Sequence, residues 1–438
     1  MNNKISPARI AAFEILLRIE KQQAFSSELL PRNTEKLSAA DRGLCYEITL
    51  GVLRRKLFLD KVVHALTNGK KIDDEVRIAL WIGLFQLNFL DRIPHYSIVN
   101  ESVELVIRAK KRSAKGFVNA ILRRAIKERV KLEYVSDLDR LAIETSHPRW
   151  LVERWTKNFG SEKASMICYA NNQVPRASFR LTRRTNDQFE ALENSGSKVK
   201  RSDIVKTAYV AEKITDELRS LIDSGEIYFQ DEASQLVANS IVINEGESFM
   251  DVCAAPGGKT ALVAGNATVN KTSLVAGDLY DFRVRTLAEN LHKQGCENVC
   301  LVRYDALDGL PFADRSFDAV LVDAPCSGTG TIGRNPELRY LLKETDIAEL
   351  ASKQSRILKE ASRLVKKGGK LYYSTCSLEP EEDEAIAESF LEQHTEFSKF
   401  SVDLDPRFRT GRGFLRTFPE RDGCDGFFMA IFQSESAV

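Results

Sequence analysis

The stretch Ser248-Phe249-Met250-Asp251-Val252-Cys253-Ala254-Ala255-Pro256-Gly257-Gly258-Lys259-Thr260 decides the fold of the C-terminal half. A short apolar run ends in an acid, a Pro-Gly-Gly turn follows, and a helical pattern begins at once, which is how a strand feeds a helix in an open α/β sheet. Further apolar runs at Ser273 to Ala276, Val299 to Val302, Asp318 to Val322 and Lys370 to Ser374 alternate with helical patterns, and Gly426 to Phe432 reads as a late strand. The pattern predicts a doubly wound α/β domain over residues 236–438, which takes ligands at the carboxyl ends of its strands.

Two phosphate-binding readings fail at this turn. A P-loop requires a glycine five residues before Gly258, where Cys253 stands, and no G-x-G-x-x-G fingerprint is present. What remains is a tight turn that lets a cofactor approach backbone. Asp278, 19 residues beyond Lys259, follows the second strand, where an acid accepts hydrogen bonds from a ribose diol, and Asp305 follows the third. Acids after successive strands without a phosphate cradle suit an adenosine cofactor lacking pyrophosphate, and S-adenosylmethionine meets that description. Each acid alone also reads as a turn residue or helix cap; their joint spacing carries the cofactor reading.

The fourth strand ends in Asp323-Ala324-Pro325-Cys326-Ser327-Gly328 and the fifth in Ser374-Thr375-Cys376-Ser377. Two cysteines thus leave adjacent strands on the edge where the cofactor is expected. Cytosine methylation at carbon 5 needs such a group, because that carbon becomes nucleophilic only after a thiolate adds to carbon 6. A free thiol, with a pKa of ~8.5, is mostly protonated at neutral pH, so the site has to supply stabilisation. Asp323 is placed to hydrogen-bond N3 and the exocyclic amine as charge develops, and a second group must take the proton from carbon 5.

Upstream, the sequence changes character. From Pro7 to about Arg140, apolar residues recur at three- and four-residue intervals, as in Asp74 to Leu90 and Lys115 to Lys127, which predicts a helical bundle broken at Asp91-Arg92-Ile93-Pro94. Residues 141–235 mix short helical and strand-like pieces, which predicts a small α+β linking domain. There Arg176, Arg180, Arg183 and Arg184 beside Phe179 suit a nucleic-acid-contacting strand with a stacking platform, or an amphipathic edge strand.

The chain of 438 residues is nearly neutral overall, at +1, but its charge is divided. Residues 1–150 hold 27 Lys and Arg against 18 Asp and Glu, while residues 241–438 hold 23 against 31. The basic excess peaks at Arg108, Lys110, Lys111, Arg112, Lys115, Arg123, Arg124, Lys127, Arg129 and Lys131, faced only by Glu128. Such a run fits a phosphate-contacting surface, and equally a solvated helix face. The longest uncharged apolar stretch, Ile78 to Leu90, is too short for a membrane span, and no signal peptide is visible. Eight scattered cysteines suit a reducing cytoplasm. His292, Cys296 and Cys300 lack a fourth metal ligand of suitable spacing, so no metal is expected.

Pro256-Gly257-Gly258-Lys259-Thr260, Asp323-Ala324-Pro325-Cys326-Ser327-Gly328 and Thr375-Cys376-Ser377 resemble the motifs of the NOL1/NOP2/Sun family of RNA 5-methylcytosine methyltransferases. Asp41-Arg42-Gly43 and Phe117 to Arg124 resemble the NusB fold. The resemblance implies an all-α NusB-like RNA-binding domain over residues 1–140, the α+β linking and RNA-recognition domain over 141–235, and a Rossmann-like class I methyltransferase domain over 236–438. It also implies a cytoplasmic monomer that methylates a cytosine of 16S ribosomal RNA with S-adenosylmethionine. Carried over by motif, Cys376 is the nucleophile, Cys326 assists release, and Asp323 serves both base and cofactor. The cofactor loop is Cys253, Ala254, Ala255, Pro256, Gly257, Gly258 and Lys259, with Asp278, Arg283 and Asp305 as further contacts. One arginine of a pair common in this group is replaced by Gly333, beside Arg334.

Three other readings compete. A tRNA is an alternative substrate, and a NusB-like scaffold with a non-catalytic partner domain is an alternative function. A DNA cytosine methyltransferase would use the Pro-Cys cysteine with a glutamate after the fifth strand, but Tyr372 to Ser377 contains none and Cys376 offers a second thiol.

Overall fold

The computed structural model describes residues 5–128, 130–185, 192, 198–266, 272–402 and 405–435, so Arg129 of the basic run lies outside the described residues. The chain divides into two compact units. One comprises residues 1–173 together with 332–342, and the other residues 174–331 and 343–438.

The first unit is helical: α1 (Pro7–Gln22), α2 (Ser26–Thr34), α3 (Ala39–Arg54), α4 (Lys56–Leu66), α5 (Asp74–Phe89), α6 (His95–Arg108), α7 (Lys115–Lys127), α8 (Asp137–Glu144), α9 (Arg149–Phe159) and α10 (Ser161–Ala170). Helix α5 is buried almost all round, from Val76 to Gln86, and forms the axis of the bundle. The closing signal read at Pro94 is met, since α5 stops at Phe89 and α6 begins directly after the proline. Helices α9 and α10 carry the unit to Gln173. In the basic run, Arg108 pairs with Glu14, Lys111 with Asp73 and Arg124 with Glu128. Lys110, Arg112, Lys115, Lys127 and Lys131 are exposed and form no ion pair among the described residues.

The segment 332–342 interrupts the sequence of the second unit and folds with the first. Its short helix α11 (Leu338–Leu341) carries Arg339, which is fully buried and donates to the carbonyls of Thr145 (3.0 Å), Ser146 (3.2 Å) and Asn171 (3.3 Å) and to Asn172 Oδ1 (3.0 Å). Glu337 accepts from the backbone of Ser26 at the start of α2, at 2.7 Å. The carbonyl of Gly333 accepts from Arg54, at 3.1 Å.

The second unit holds two sheets. The smaller pairs β1 (Ala177–Leu181), β2 (Val199–Arg201), β3 (Ala208–Ala211) and β4 (Ile227–Phe229) in the order β2-β3-β1-β4, antiparallel throughout, with α12 (Asp216–Asp223) following β3. This sheet corrects the reading of Phe179 and Arg180 as nucleic-acid contacts, and of their segment as an edge strand, since β1 lies between β3 and β4. Phe179 is fully enclosed between Tyr209 and Phe229, so it offers no face to a base. Arg180 is buried and donates to Gln230, Gln294 and the carbonyl of Gly258, while Arg184 donates to the carbonyl of His292. Arg180 thus spends its guanidinium on the chain's own side-chain and backbone oxygens, as a buried cation must.

The larger sheet contains β5 (Ser248–Asp251), β6 (Ser273–Asp278), β7 (Val299–Arg303), β8 (Phe317–Asp323), β9 (Val365–Thr375), β10 (Phe397–Lys399), β11 (Leu415–Arg416) and β12 (Phe428–Ser434). Its order is β10-β12-β9-β8-β5-β6-β7, with β11 on β12. Strands β5 to β9 run parallel to their neighbours and β12 runs antiparallel to β9. Between them lie α13 (Gly258–Asn266), α14 (Asp281–Lys293), α15 (Glu344–Ser362) and α16 (Glu384–Gln393). The strand order reverses at β5, between β6 and β8, and an open sheet binds ligands at the carboxyl edge of such a reversal.

Candidate active site

Strand β5 delivers Asp251 to that edge, and hydrogen bonds hold the turn after it. Ala254 N donates to Gly277 O (2.9 Å) and Gly257 N to Ala254 O (2.8 Å). Gly257 has a φ of 102°, and a Cβ there would come within 2.7 Å of the Leu287 side chain, so the turn needs glycine on two grounds. From β6, Asp278 accepts from Ala255 N at 3.1 Å and from Leu279 N at 2.9 Å. Arg283 on α14 pairs with Asp278 (3.0 Å) and donates to Ala255 O (2.8 Å), and Asn290 donates to Pro256 O (2.8 Å). Asp278, Arg283 and the loop therefore form one braced unit. Asp305, past β7, accepts from Leu307 N with one oxygen.

The chemistry of this edge is anionic. Asp251 is almost fully buried; one oxygen accepts from Thr260 at 2.7 Å and the other has no hydrogen-bond partner among the described residues. Burial, reinforced by the Asp323 charge, pushes its pKa up to about 7 against the pull of the Thr260 hydrogen bond. Burial and the Asp251, Asp278 and Asp323 carboxylates also raise the Cys253 thiol and keep it protonated. Among the described residues no cluster of three or more His, Cys, Asp and Glu could hold a metal ion.

Strands β8 and β9 bring Cys326 and Cys376 together. Cys326 Sγ lies 3.2 Å from Cys376 Sγ, and Cys376 N donates to Cys326 Sγ at 3.3 Å. The hydrogen bond to Cys376, burial, and the charges of Cys376 and Glu382 hold the Cys326 thiol well above its usual pKa. Asp323 accepts from Lys259 Nζ at 2.7 Å on one oxygen and from Ser374 Oγ at 2.7 Å on the other. Lys259, expected in the cofactor loop, thus has its ammonium on Asp323 and over the Phe427 ring, at 4.8 Å. Burial lowers the Lys259 pKa, but the charge and hydrogen bond of Asp323 outweigh it and the net shift is upward.

Several participants were not singled out from the sequence. Ser374 orients Asp323 and could have been read from its place one residue before Thr375-Cys376. Phe427 and Glu382 reach the site from later segments, and nothing in their local spacing announces it. Gly330 also has a role, since a Cβ there would lie 2.0 Å from the Gly426 carbonyl.

Residues 239–433 match the family described as 16S rRNA methyltransferase RsmB/F, residues 6–127 the NusB family, and residues 147–216 the ferredoxin-like domain of the RsmF/B-like methyltransferases. The chain is 35% identical to the Bacillus subtilis protein described as a probable ribosomal RNA small subunit methyltransferase B, over 99% of this chain and 100% of that protein. It is 32% identical to the ribosomal RNA small subunit methyltransferase B of Pseudomonas putida, over 96% and 97% of the two chains. Among solved structures it resembles PH0851, with a TM-score of 0.84 and 26% identity over 98% of this chain and 99% of that one. A methyltransferase homologue from Pyrococcus horikoshii, also 26% identical, covers 68% of this chain and 99% of its own length, with a TM-score of 0.58.

Proposed function

Because the chain belongs to the RsmB/F family of 16S rRNA methyltransferases, we propose that it methylates carbon 5 of a cytosine in 16S ribosomal RNA through a covalent bond between Cys376 and carbon 6. Membership makes it an RNA methyltransferase that uses S-adenosylmethionine. The edge described above fits that cofactor. It offers carboxylates at the ends of β5, β6 and β8 and after β7, suited to hydroxyl donors and to a cation, and an orphaned buried oxygen on Asp251. Asp278, Asp305 and the loop from Cys253 to Gly258 would hold it, with Arg283 bracing the loop. When bound, S-adenosylmethionine supplies an electrophilic methyl group on a positively charged sulfur.

The reading rests above all on the two thiols 3.2 Å apart. Burial and the Cys376 contact hold the Cys326 thiol protonated, and a protonated Cys326 can donate to Cys376 Sγ at 3.2 Å, so we take Cys376 as the attacking sulfur. The Cys376–carbon 6 bond forms as the ring's electrons move toward N3. There Lys259, whose ammonium donates to Asp323 at 2.7 Å, offers a positive charge to the developing negative one. Carbon 5, now nucleophilic, takes the methyl group. The attack also consumes the Cys376 charge, which is one of the causes raising the Cys326 pKa. Cys326 then releases its proton to solvent, and the resulting thiolate takes the proton of carbon 5 as the carbon 6–sulfur bond breaks and its electrons return to Cys376 as thiolate.

We assign RNA grip to the helical unit, through the exposed cations of the Lys110 to Lys131 run. Bisulfite sequencing of 16S rRNA from cells carrying the wild-type gene or a Cys376→Ala variant tests the reading. One cytosine should lose its protection in the variant, and a protected cytosine that persists in the variant would refute the role of Cys376.

A further inference from the structure

We propose that Glu382 is the positioning residue that holds the two thiol-bearing loops at reacting distance, an inference resting on the two-cysteine reading above. Glu382 follows β9 and is fully buried. One carboxylate oxygen accepts from Ser327 N and from Gln354 Nε2, each at 2.9 Å. The other accepts from Ser377 Oγ at 2.5 Å and from Ser327 Oγ. Ser327 is the residue after Cys326, and Ser377 is the residue after Cys376. A single carboxylate therefore ties the neighbours of both sulfurs, and Ser327 Oγ and Ser377 Oγ lie 3.1 Å apart beneath it. Gln354 on α15 extends the tie by donating to Pro325 O at 3.0 Å, on the other side of Cys326. Tyr373 OH closes the back of the network on the Glu382 carbonyl, at 2.5 Å.

A carboxylate is the side chain suited to this place. It has about four acceptor sites and all four are used, whereas a glutamine has one acceptor oxygen and would turn an amino group toward two hydroxyls or a backbone N–H. Glu382 has no cationic partner among the described residues. Burying a charge without a counter-ion is costly unless hydrogen bonds satisfy it, and an apolar contact of equal volume would often be as stable. What the apolar contact could not do is fix the separation of two loops that have no covalent link. The Glu382 charge also helps to keep Cys326 protonated before attack, in keeping with this placement.

The test compares wild type, Glu382→Gln, Ser377→Ala and Cys376→Ser in three assays. Phenylarsine oxide, which binds tightly only to two sulfurs held close together, reports thiol pairing without any methyl transfer. Single-turnover methylation of 16S rRNA reports the reaction, and S-adenosylmethionine titration reports the cofactor pocket. Glu382→Gln should weaken arsenical binding toward the level of Cys376→Ser and slow methylation on the order of 100-fold, as misplacement of reacting groups by about 1 Å does, while S-adenosylmethionine affinity stays unchanged. Ser377→Ala, which removes one donor and no charge, should move both readouts in the same direction by less, and decides the matter if Glu382→Gln fails to fold. Wild-type arsenical binding in both variants would overturn the clamp. Weakened binding with methylation at the wild-type rate would overturn instead the two-thiol chemistry on which the clamp's purpose rests.

Discussion

Asp251 should make the stability of the methyltransferase sheet depend on pH in an unusual direction. Its folded pKa is pushed up to about 7 from 3.8, chiefly by burial. For a raised acid, the folded state holds the proton that the unfolded chain releases, so stability is greatest below pH 4 and is lost as pH rises toward 7. The slope is about 1.4 kcal/mol per pH unit in that window, and integrating it between pH 5 and pH 8 gives a loss of about 2.5 kcal/mol from this group. Asp251→Asn keeps the shape and an acceptor for Thr260 but cannot ionise. Hydrogen exchange at the Val252 amide, which donates to Leu321 O at 2.9 Å between β5 and β8, reads the local stability of that strand end. The opening free energy of wild type minus that of the Asn variant should fall by about 2.5 kcal/mol from pH 5 to pH 8. A difference that stays constant within about 0.5 kcal/mol over that range would refute the reasoning, because it would mean that Asp251 ionises equally in both states.

Two further outcomes follow from the helical unit. Replacing Lys110, Lys111, Arg112 and Lys115 with Ala should reduce the slope of log RNA affinity against log salt by roughly 2 to 3, less than four full contacts because Lys111 is already engaged by Asp73; S-adenosylmethionine affinity should not move, and an unchanged slope would make the run a solvated face. Arg339→Ala strips a buried cation from four carbonyls and an amide oxygen and should destabilise the helical unit on the order of 3 kcal/mol, read by the fluorescence of Trp155 near His147; Arg339→Lys should not restore it, since an ammonium lacks the planar fork that reaches both groups of acceptors.

The sequence made some of this legible and hid the rest for physical reasons. The strand ends at Asp251, Asp278, Asp323 and Cys376 stand out because a parallel sheet needs an apolar run followed by an abrupt polar exit, and each exit faces the same edge. Arg180 and Phe179 look like an RNA-contacting pair because a sequence shows charge and ring but not the carbonyls of Gly258 and the walls of Tyr209 and Phe229 that receive them. Residues 332–342 fold with helices from 167 to 311 residues away in the sequence, and most of the buried partners of Arg339 are backbone oxygens, which carry no residue signature. Glu382 escaped for a related reason: a glutamate sought between Tyr372 and Ser377 is absent, and the one that matters sits five residues later, folded back beneath both cysteines.

The division of labour between the two sulfurs is tested most directly by trapping. Cys326→Ala retains Cys376 for attack but lacks the group that takes the carbon 5 proton, so incubation with 16S rRNA and S-adenosylmethionine should leave a protein–RNA adduct that survives denaturing electrophoresis. Adding Cys376→Ala to the same chain should abolish the adduct. An adduct that forms in Cys376→Ala alone and is lost when Cys326 is also removed would reverse the roles of the two cysteines and contradict the mechanism.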